Sequence, residues 1–300
     1  MSIDKVLLCG LGAVGLTYAN KLKDVCELKI LADVKRIERY IKKPPELNDK
    51  QILFDYITPD SNWEPDLIII TTKAQGLDSA IDYIKNFVKD KTIIISLLNG
   101  ITSENKIANV YGKEKVLHSY FIGHSAVRKE NKVYQDGIGT IVFGSPYEEN
   151  RANVIKLKEF FEKNNIDYEI PKDIIYSMWL KYVFNLFSNQ ASAIMNLTFG
   201  EMKKSIKFKE FAKKVISEVK IIAEKEGVRN LENLESDSIS SLDRMIDSGK
   251  TSMLQDILAK RPTEVDIFAG EILRLGEKYN IATPYNQLMY DMIKIIEESF

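Results

Sequence analysis

The sequence predicts an α/β fold: a doubly wound, mostly parallel sheet followed by an all-helical C-terminal domain. Three observations predict it. A glycine-rich turn joins the first strand to the first helix, buried strands then alternate with helices, and after Pro171 no convincing strand remains. Near residue 170 the composition shifts from Ile, Val and Thr strands to Lys, Glu, Leu and Met helices, which divides the chain into residues 1–170 and 171–300. A chain of 300 residues is long enough for two cores.

The first strand is Lys5-Val6-Leu7-Leu8-Cys9, and Gly10-Leu11-Gly12-Ala13-Val14-Gly15 follows it directly before a helix from Leu16 to Lys23. A strand, a G-x-G-x-x-G turn and a helix form the dinucleotide fingerprint of a Rossmann-type domain. Gly10 allows the tight turn, Gly12 lacks the Cβ that would block a pyrophosphate, and Gly15 lets the helix pack close on the strand. The phosphates would sit on free N–H groups at the positive end of the helix dipole. A second strand, Cys26 to Leu31, leads to Asp33, about 20 residues beyond the turn, where the motif expects a ribose contact.

The remaining elements follow in order. Val34 to Lys43 reads as a charged helix stopped by Pro44-Pro45, and Leu53 to Thr58 as a small antiparallel strand. Leu67 to Thr71 and Thr92 to Leu98 are apolar runs of strands covered on both faces. Ala74 to Val88, Ser103 to Tyr111 and Asn150 to Asn164 have helical spacing, and Val116 to Phe121 is a further strand. From Ala126 to Phe143 the pattern becomes strands joined by a turn at Gln135-Asp136-Gly137, an antiparallel excursion at the sheet edge, and Tyr168 to Ile170 is a last short strand. In the second half, helices are expected over 174–195, 203–226, 236–260, 263–279 and 286–297.

Composition excludes several roles. With 42 Lys and Arg against 43 Asp and Glu, no charge imbalance favours nucleic acid or an anionic membrane as partner. No apolar run approaches the ~20 residues of a spanning helix. The two cysteines, Cys9 and Cys26, would stand at opposite ends of parallel strands and could not bridge, so a reducing, cytoplasmic setting fits. With only two histidines, His118 and His124, there is no zinc constellation and no metal is expected.

In open α/β sheets ligands lie outside the carboxyl ends of the strands. Lys73 and Asn99-Gly100 follow two such strands, although Lys73 also suits a solvated helix start and Asn99-Gly100 an ordinary turn. In the helical half, Lys181, Asn185 and Asn189 recur every fourth residue of a largely apolar helix, forming one polar stripe. Such a stripe lines a polar cavity or, alternatively, a wet helix face. Further on stand Thr251-Ser252-Met253-Leu254-Gln255-Asp256 and Thr263-Glu264-Val265-Asp266, where Ser252 could be a helix cap and Thr263 with Asp266 a capping box.

Taken together these pieces resemble the ketopantoate reductases (2-dehydropantoate 2-reductases) over nearly the whole chain. The matching segments are the glycine turn, Thr72-Lys73-Ala74, Asn99-Gly100, His124-Ser125-Ala126, the Trp179-Leu180-Lys181 helix with its two asparagines, and the two later motifs. The resemblance implies reduction of 2-dehydropantoate to pantoate, a step toward pantothenate and coenzyme A. It implies Lys181 as general acid to the C2 oxygen, with Glu264 orienting it and touching the cofactor. Asn99, Asn185, Asn189 and Ser252 would hold the substrate. The backbone of residues 10–15, Lys73, Asn99 and Ala126 would contact the dinucleotide.

Two departures bear on specificity. Asp33 stands where relatives using the phosphorylated cofactor often carry arginine, which favours NAD(H); Lys35 and Arg36 follow and could clamp a 2′-phosphate. The family favours NADP(H), and that is the cofactor expected. Phe199 and Gln190 also differ from the family's usual residues near the substrate end, leaving another branched 2-oxo acid as an alternative substrate. A nucleotide-sensing homologue without turnover is the alternative from another class, and it would have no use for Lys181 and Glu264. The apolar helices of the second half suit either a monomer core or a homodimer interface.

Overall fold

A computed structural model describes residues 2–123, 126–135 and 137–300, without the side chains of Val127 and Lys129. The chain separates into two compact units, Met1–Ile174 and Ile175–Phe300. The first is a mixed α/β unit and the second is predominantly helical, as the sequence predicts.

In the first unit the strands are β1 (Lys5–Cys9), β2 (Glu27–Leu31), β3 (Glu46–Leu47), β4 (Lys50–Gln51), β5 (Tyr56–Ile57), β6 (Leu67–Ile70), β7 (Ile93–Ser96), β8 (Val116–Ile122), β9 (Val127–Lys129), β10 (Lys132–Tyr134), β11 (Thr140–Gly144) and β12 (Tyr168–Glu169). The helices are α1 (Ala13–Leu22), α2 (Val34–Lys42), α3 (Leu77–Tyr83), α4 (Ser103–Tyr111) and α5 (Arg151–Lys163). The main sheet runs β12-β11-β8-β7-β6-β1-β2-β5. Its six strands from β8 to β5 are parallel and have the doubly wound order of a Rossmann domain; β11 is antiparallel to β8 and carries β12 beyond it.

The reason these runs become central strands is visible in the core. Val6, Leu8, Ile69, Ile93 and Ile95 face one layer with Leu16, Leu22 and Phe161. Leu7, Cys9, Ile68, Ile70 and Ile94 face the other with Ile84 and Phe87. Alternate residues bury into opposite layers, so a continuous apolar run is required. At about 25 cal/mol per Å2 this double burial is the main force holding the sheet together.

Several elements differ from the expectation. The strand expected over 53–58 shortens to β5 and pairs parallel with β2, because the neighbouring edge of the sheet is where its main chain finds partners. The excursion does pair antiparallel at the edge through β11, but β9 and β10 leave the main sheet and join β3 and β4 in a separate four-stranded sheet. The turn between β9 and β10 lies at Glu130-Asn131, with Glu130 at φ +53°; of the expected turn at 135–137, Asp136 lies outside the described residues.

The second unit holds α6 (Ile174–Met195), which begins at the boundary, then α7 (Phe199–Lys204), α8 (Ile206–Lys225), α9 (Leu234–Ser240), α10 (Ser252–Leu258), α11 (Ala269–Tyr279) and α12 (Pro284–Glu298). The helix expected over 203–226 is interrupted at Ser205, whose hydroxyl accepts from Phe208 N–H and caps α8. The single helix expected over 236–260 is two, α9 and α10. Between them the backbone oxygens of Asp247 and Gly249 accept from the N–H groups of Gly200 and Phe199, docking the loop on α7. The buried carboxylate of Glu218 on α8 accepts from Tyr285 and Asn286 N–H and so caps α12. Among the described residues no helix is long and apolar enough to cross a membrane.

Candidate active site

Parallel strands end at one edge, and that is what gathers the first group of residues. Cys9 is level with Leu31 on one side and Ile70 on the other, and Ile70 with Ser96. The segments that follow β1, β2, β6 and β7 therefore emerge side by side, about 5 Å apart from strand to strand. They carry the glycine turn, Asp33, Lys73 and Asn99, so the structure brings these predicted residues to one edge of the sheet.

Within the turn the three glycines have separate reasons. Gly10 has φ +112°, and a Cβ on it would lie 2.9 Å from the main chain of Thr71 and Thr72. A Cβ on Gly15 would lie 1.9 Å from the Gly10 carbonyl oxygen and 2.5 Å from Thr71 Oγ1. Thr71 Oγ1 donates to that same Gly10 oxygen at 2.6 Å, which ties the turn to β6. Gly12 is unlike both. Its φ is −73°, and a Cβ there would only touch Thr71 O at 3.7 Å. Packing within the protein does not ask for glycine at 12.

Gly12 caps α1 without a side-chain acceptor, and no acidic residue stands in the first turn of that helix. This leaves a bare, electropositive cradle made of Leu11, Gly12, Ala13 and Val14 that could hold a pyrophosphate. Asp33 caps α2: its carboxylate accepts from Arg36 N–H at 2.8 Å and lies 3.3 Å from Arg36 Nε. Lys35 and Lys73 are exposed, Asn99 is half-buried beside Gly100 (φ +96°), and Ala126 packs against the sheet core. His124 and Ser125, which the resemblance also invokes, lie outside the described residues.

The helical unit gathers the second group. On α6 the aromatic and aliphatic residues Trp179, Tyr182, Val183, Leu186 and Phe187 are buried. Tyr182 is fixed further by donating to Phe268 O at 2.8 Å and stacking on the Phe268 ring. Lys181 and Asn185 are half-buried and Asn189 is 6% exposed, successive members of one stripe. Asn189 Nδ2 donates to Asn185 Oδ1 at 3.1 Å. Asn189 Oδ1 accepts from Ser252 Oγ at 3.2 Å and from Met253 N–H at 3.3 Å. Three of the four predicted substrate ligands thus form one hydrogen-bonded run, and Asn189 doubles as an acceptor at the start of α10.

The alternatives weighed for the later motifs resolve as well. Thr251, not Ser252, caps α10 by accepting from Leu254 N–H. Thr263 and Asp266 do not form a capping box. Thr263 Oγ1 accepts from Val265 N–H, while the Asp266 carboxylate accepts from Tyr290 Oη and Lys294 Nζ. Half-buried Glu264 opens the short turn Val265–Ile267, and just before it Thr263 N–H donates to Glu297 Oε1. Asp256 is bound to Arg261 at 2.8 Å.

Gln190 is fully buried, donating to Leu186 O and accepting from Ala269 N–H, so its amide is engaged within the protein. Phe199 stacks on Phe184 at 6.3 Å.

The sequence reading did not single out Arg39, Tyr40, Lys43 and Arg128, which with Leu11 and Leu16 line a cavity of about 270 Å3 in the first unit. Lys43 is paired there with Glu130 at 2.8 Å. No local signal joins α2 to the β9–β10 hairpin, because only the tertiary fold does so. Among the described residues no cluster of His, Cys, Asp and Glu could hold a metal ion.

Known proteins resemble this chain in sequence and in fold. The family model for ketopantoate reductase PanE/ApbA matches residues 6–147, and that for the C-terminal part of the same family matches residues 173–297. A 2-dehydropantoate 2-reductase of Pyrococcus horikoshii is 29% identical, over 98% of this chain and 97% of that protein. In fold the chain is similar to a D-mandelate dehydrogenase solved with NADH and anilino(oxo)acetate, with a TM-score of 0.87 and 24% identity over 98% and 99% of the two chains. It is similar likewise to a PanE/ApbA family ketopantoate reductase of Ralstonia eutropha, with a TM-score of 0.81 and 21% identity over 98% and 99%.

Proposed function

Because the chain belongs to the ketopantoate reductase family and is an oxidoreductase of that kind, we propose that it reduces 2-dehydropantoate to pantoate with NADPH. The observation that carries the reading is the run from Asn185 through Asn189 to Ser252, which starts one helical turn beyond Lys181. The chain keeps Lys181 and two carboxamides on one half-buried to buried stripe of a largely apolar helix, and that arrangement supports a polar cavity there.

The roles are those the family resemblance implies, and the chemistry suits them. The nicotinamide supplies a hydride when bound. Its arrival at a ketone builds negative charge on oxygen, and the Lys181 ammonium stabilises that charge and donates the proton. Glu264 orients the ammonium. Asn99, Asn185, Asn189 and Ser252 hold the carboxylate and hydroxyl of the 2-oxo acid, donating hydrogen bonds that fix the ketone's orientation. The cradle at Leu11 to Val14 takes the pyrophosphate, which supplies the reason for glycine at 12 that protein packing does not. Lys73 and the backbone at Ala126 touch the dinucleotide.

For the ribose end, Arg36 offsets the Asp33 carboxylate in two ways, by backbone cap and by ion pair, while Lys35 stays exposed to meet a 2′-phosphate. This supports NADPH. The test is initial rates with 2-dehydropantoate and with other branched 2-oxo acids, each with NADPH and NADH. The highest kcat/KM is expected for 2-dehydropantoate with NADPH. Dinucleotide binding without reduction of that acid would sink the substrate assignment, and turnover of none would favour the sensing homologue. A clear preference for NADH would return the ribose pocket to Asp33.

A further inference from the structure

We propose that Glu104 is a positioning residue, acting through two serines on the turn that carries Asn99. The inference rests on the role given to Asn99 above. Glu104 lies in the first turn of α4 and is 2% exposed, an unusual place for a carboxylate. Around it Ser96, Ser103 and Ser119 are also buried.

The hydrogen bonds among them run in one direction. Leu98 N–H donates to Ser96 Oγ at 3.5 Å, Ser96 Oγ donates to Ser103 Oγ at 2.9 Å, and Ser103 Oγ donates to Glu104 Oε2 at 2.9 Å. The other carboxylate oxygen accepts from Ser119 N–H at 3.4 Å. Ser119 in turn clasps β7, donating from Oγ to Ser96 O and accepting from Ser96 N–H. Both carboxylate oxygens accept, each hydroxyl upstream points toward them, and Ser96 Oγ is left with a lone pair for Leu98 N–H.

Leu98 immediately precedes Asn99-Gly100, and Gly100 has φ +96°. The carboxylate therefore sets the polarity of a chain that ends on the backbone of the Asn99 turn. A glutamine at 104 presents a donor. If that donor faced Ser103, the hydroxyls would have to reverse, and Ser96 O–H would then confront Leu98 N–H, donor against donor. Cooperative chains of buried hydrogen bonds transmit such a change at high cost.

The experiment is a double-mutant cycle of Glu104→Gln and Asn99→Ala, read as dinucleotide affinity and as kcat and KM, together with the amide resonances of residues 98–100. Glu104→Gln alone is expected to shift those resonances and to lower kcat/KM about 10-fold to 100-fold, the size of a misplacement effect. On top of Asn99→Ala it should cost less than about 2-fold, because coupled sites are not additive. Resonances left in place, or a full loss in both backgrounds, would overturn the proposal. Should Glu104→Gln fail to fold, Ser103→Ala deletes a single link and runs the same cycle. If the wild type reduces no 2-dehydropantoate, the functional reading fails by itself, and the resonances and dinucleotide affinity still decide the role of Glu104.

Discussion

The glycine turn and the polar stripe of α6 are built in opposite ways. In the first unit the backbone does the work: side chains are removed at Gly10, Gly12 and Gly15 so that main chain can approach main chain or a ligand. In the second unit the backbone is an ordinary buried helix, and side chains at four-residue spacing supply the polar groups. The first surface depends on what is absent, and at Gly10 and Gly15 the protein itself leaves no room for an added atom. The second depends on partners such as Asn189 and Ser252 that meet only after folding.

Substitutions can break that comparison, starting with the largest effect. Gly15→Ala puts a methyl 1.9 Å from a carbonyl oxygen, and a stability loss of about 3 kcal/mol or more is expected by denaturant titration, with dinucleotide binding gone. In the helical unit Asn189→Ala leaves the buried Met253 N–H without its acceptor. A cost of about 2 kcal/mol is expected by the same titration, with a fall in kcat/KM; unchanged stability would show that the run is not coupled to the packing of α10. Gly12→Ala sharpens the contrast. Stability should stay within about 1 kcal/mol of wild type, while dinucleotide affinity falls about 10-fold, equivalent to roughly 1.4 kcal/mol. Equal losses at 12 and 15 would erase the distinction between packing glycines and a ligand glycine.

A smaller effect concerns the core of the first unit. Burial pushes the His118 imidazole down from 6.5 to about 4, and its Nδ1 has no hydrogen-bond partner among the described residues. The unfolded chain therefore takes up a proton before the folded one does. Stability should decline as pH falls below 6.5, by about 1 kcal/mol near pH 5 after allowance for solvent screening, and level off below about 4. Thermal midpoints measured across that range check it, and His118→Phe should flatten the slope.

How much of this was legible depends on whether the signal is local. The bounds of α6 and α4 match the expected 174–195 and 103–111, because apolar periodicity extends over whole helices. The parallel strands were legible because burial on both faces demands unbroken runs such as Leu67–Ile70. β3 and β4 were not, since two-residue strands have no period and are held by a hairpin from far along the chain. The loop between α9 and α10 was missed for a similar reason: its polar residues fit a helix pattern, and only docking on α7 breaks it. In the site, the stripe of Lys181, Asn185 and Asn189 could be read from spacing alone, whereas the link to Ser252 is tertiary. Gln190 stands beside that stripe, and one position along the helix turns it about 100° into the core.

The most direct test of the central claim concerns Lys181. Lys181→Ala should lower kcat with 2-dehydropantoate by about 100-fold or more, the size of a lost general acid, while the dissociation constant for the dinucleotide stays within about 2-fold of wild type. That split would assign the chemistry to the stripe of α6 and the cofactor to the glycine turn. A variant that keeps its kcat would contradict the account.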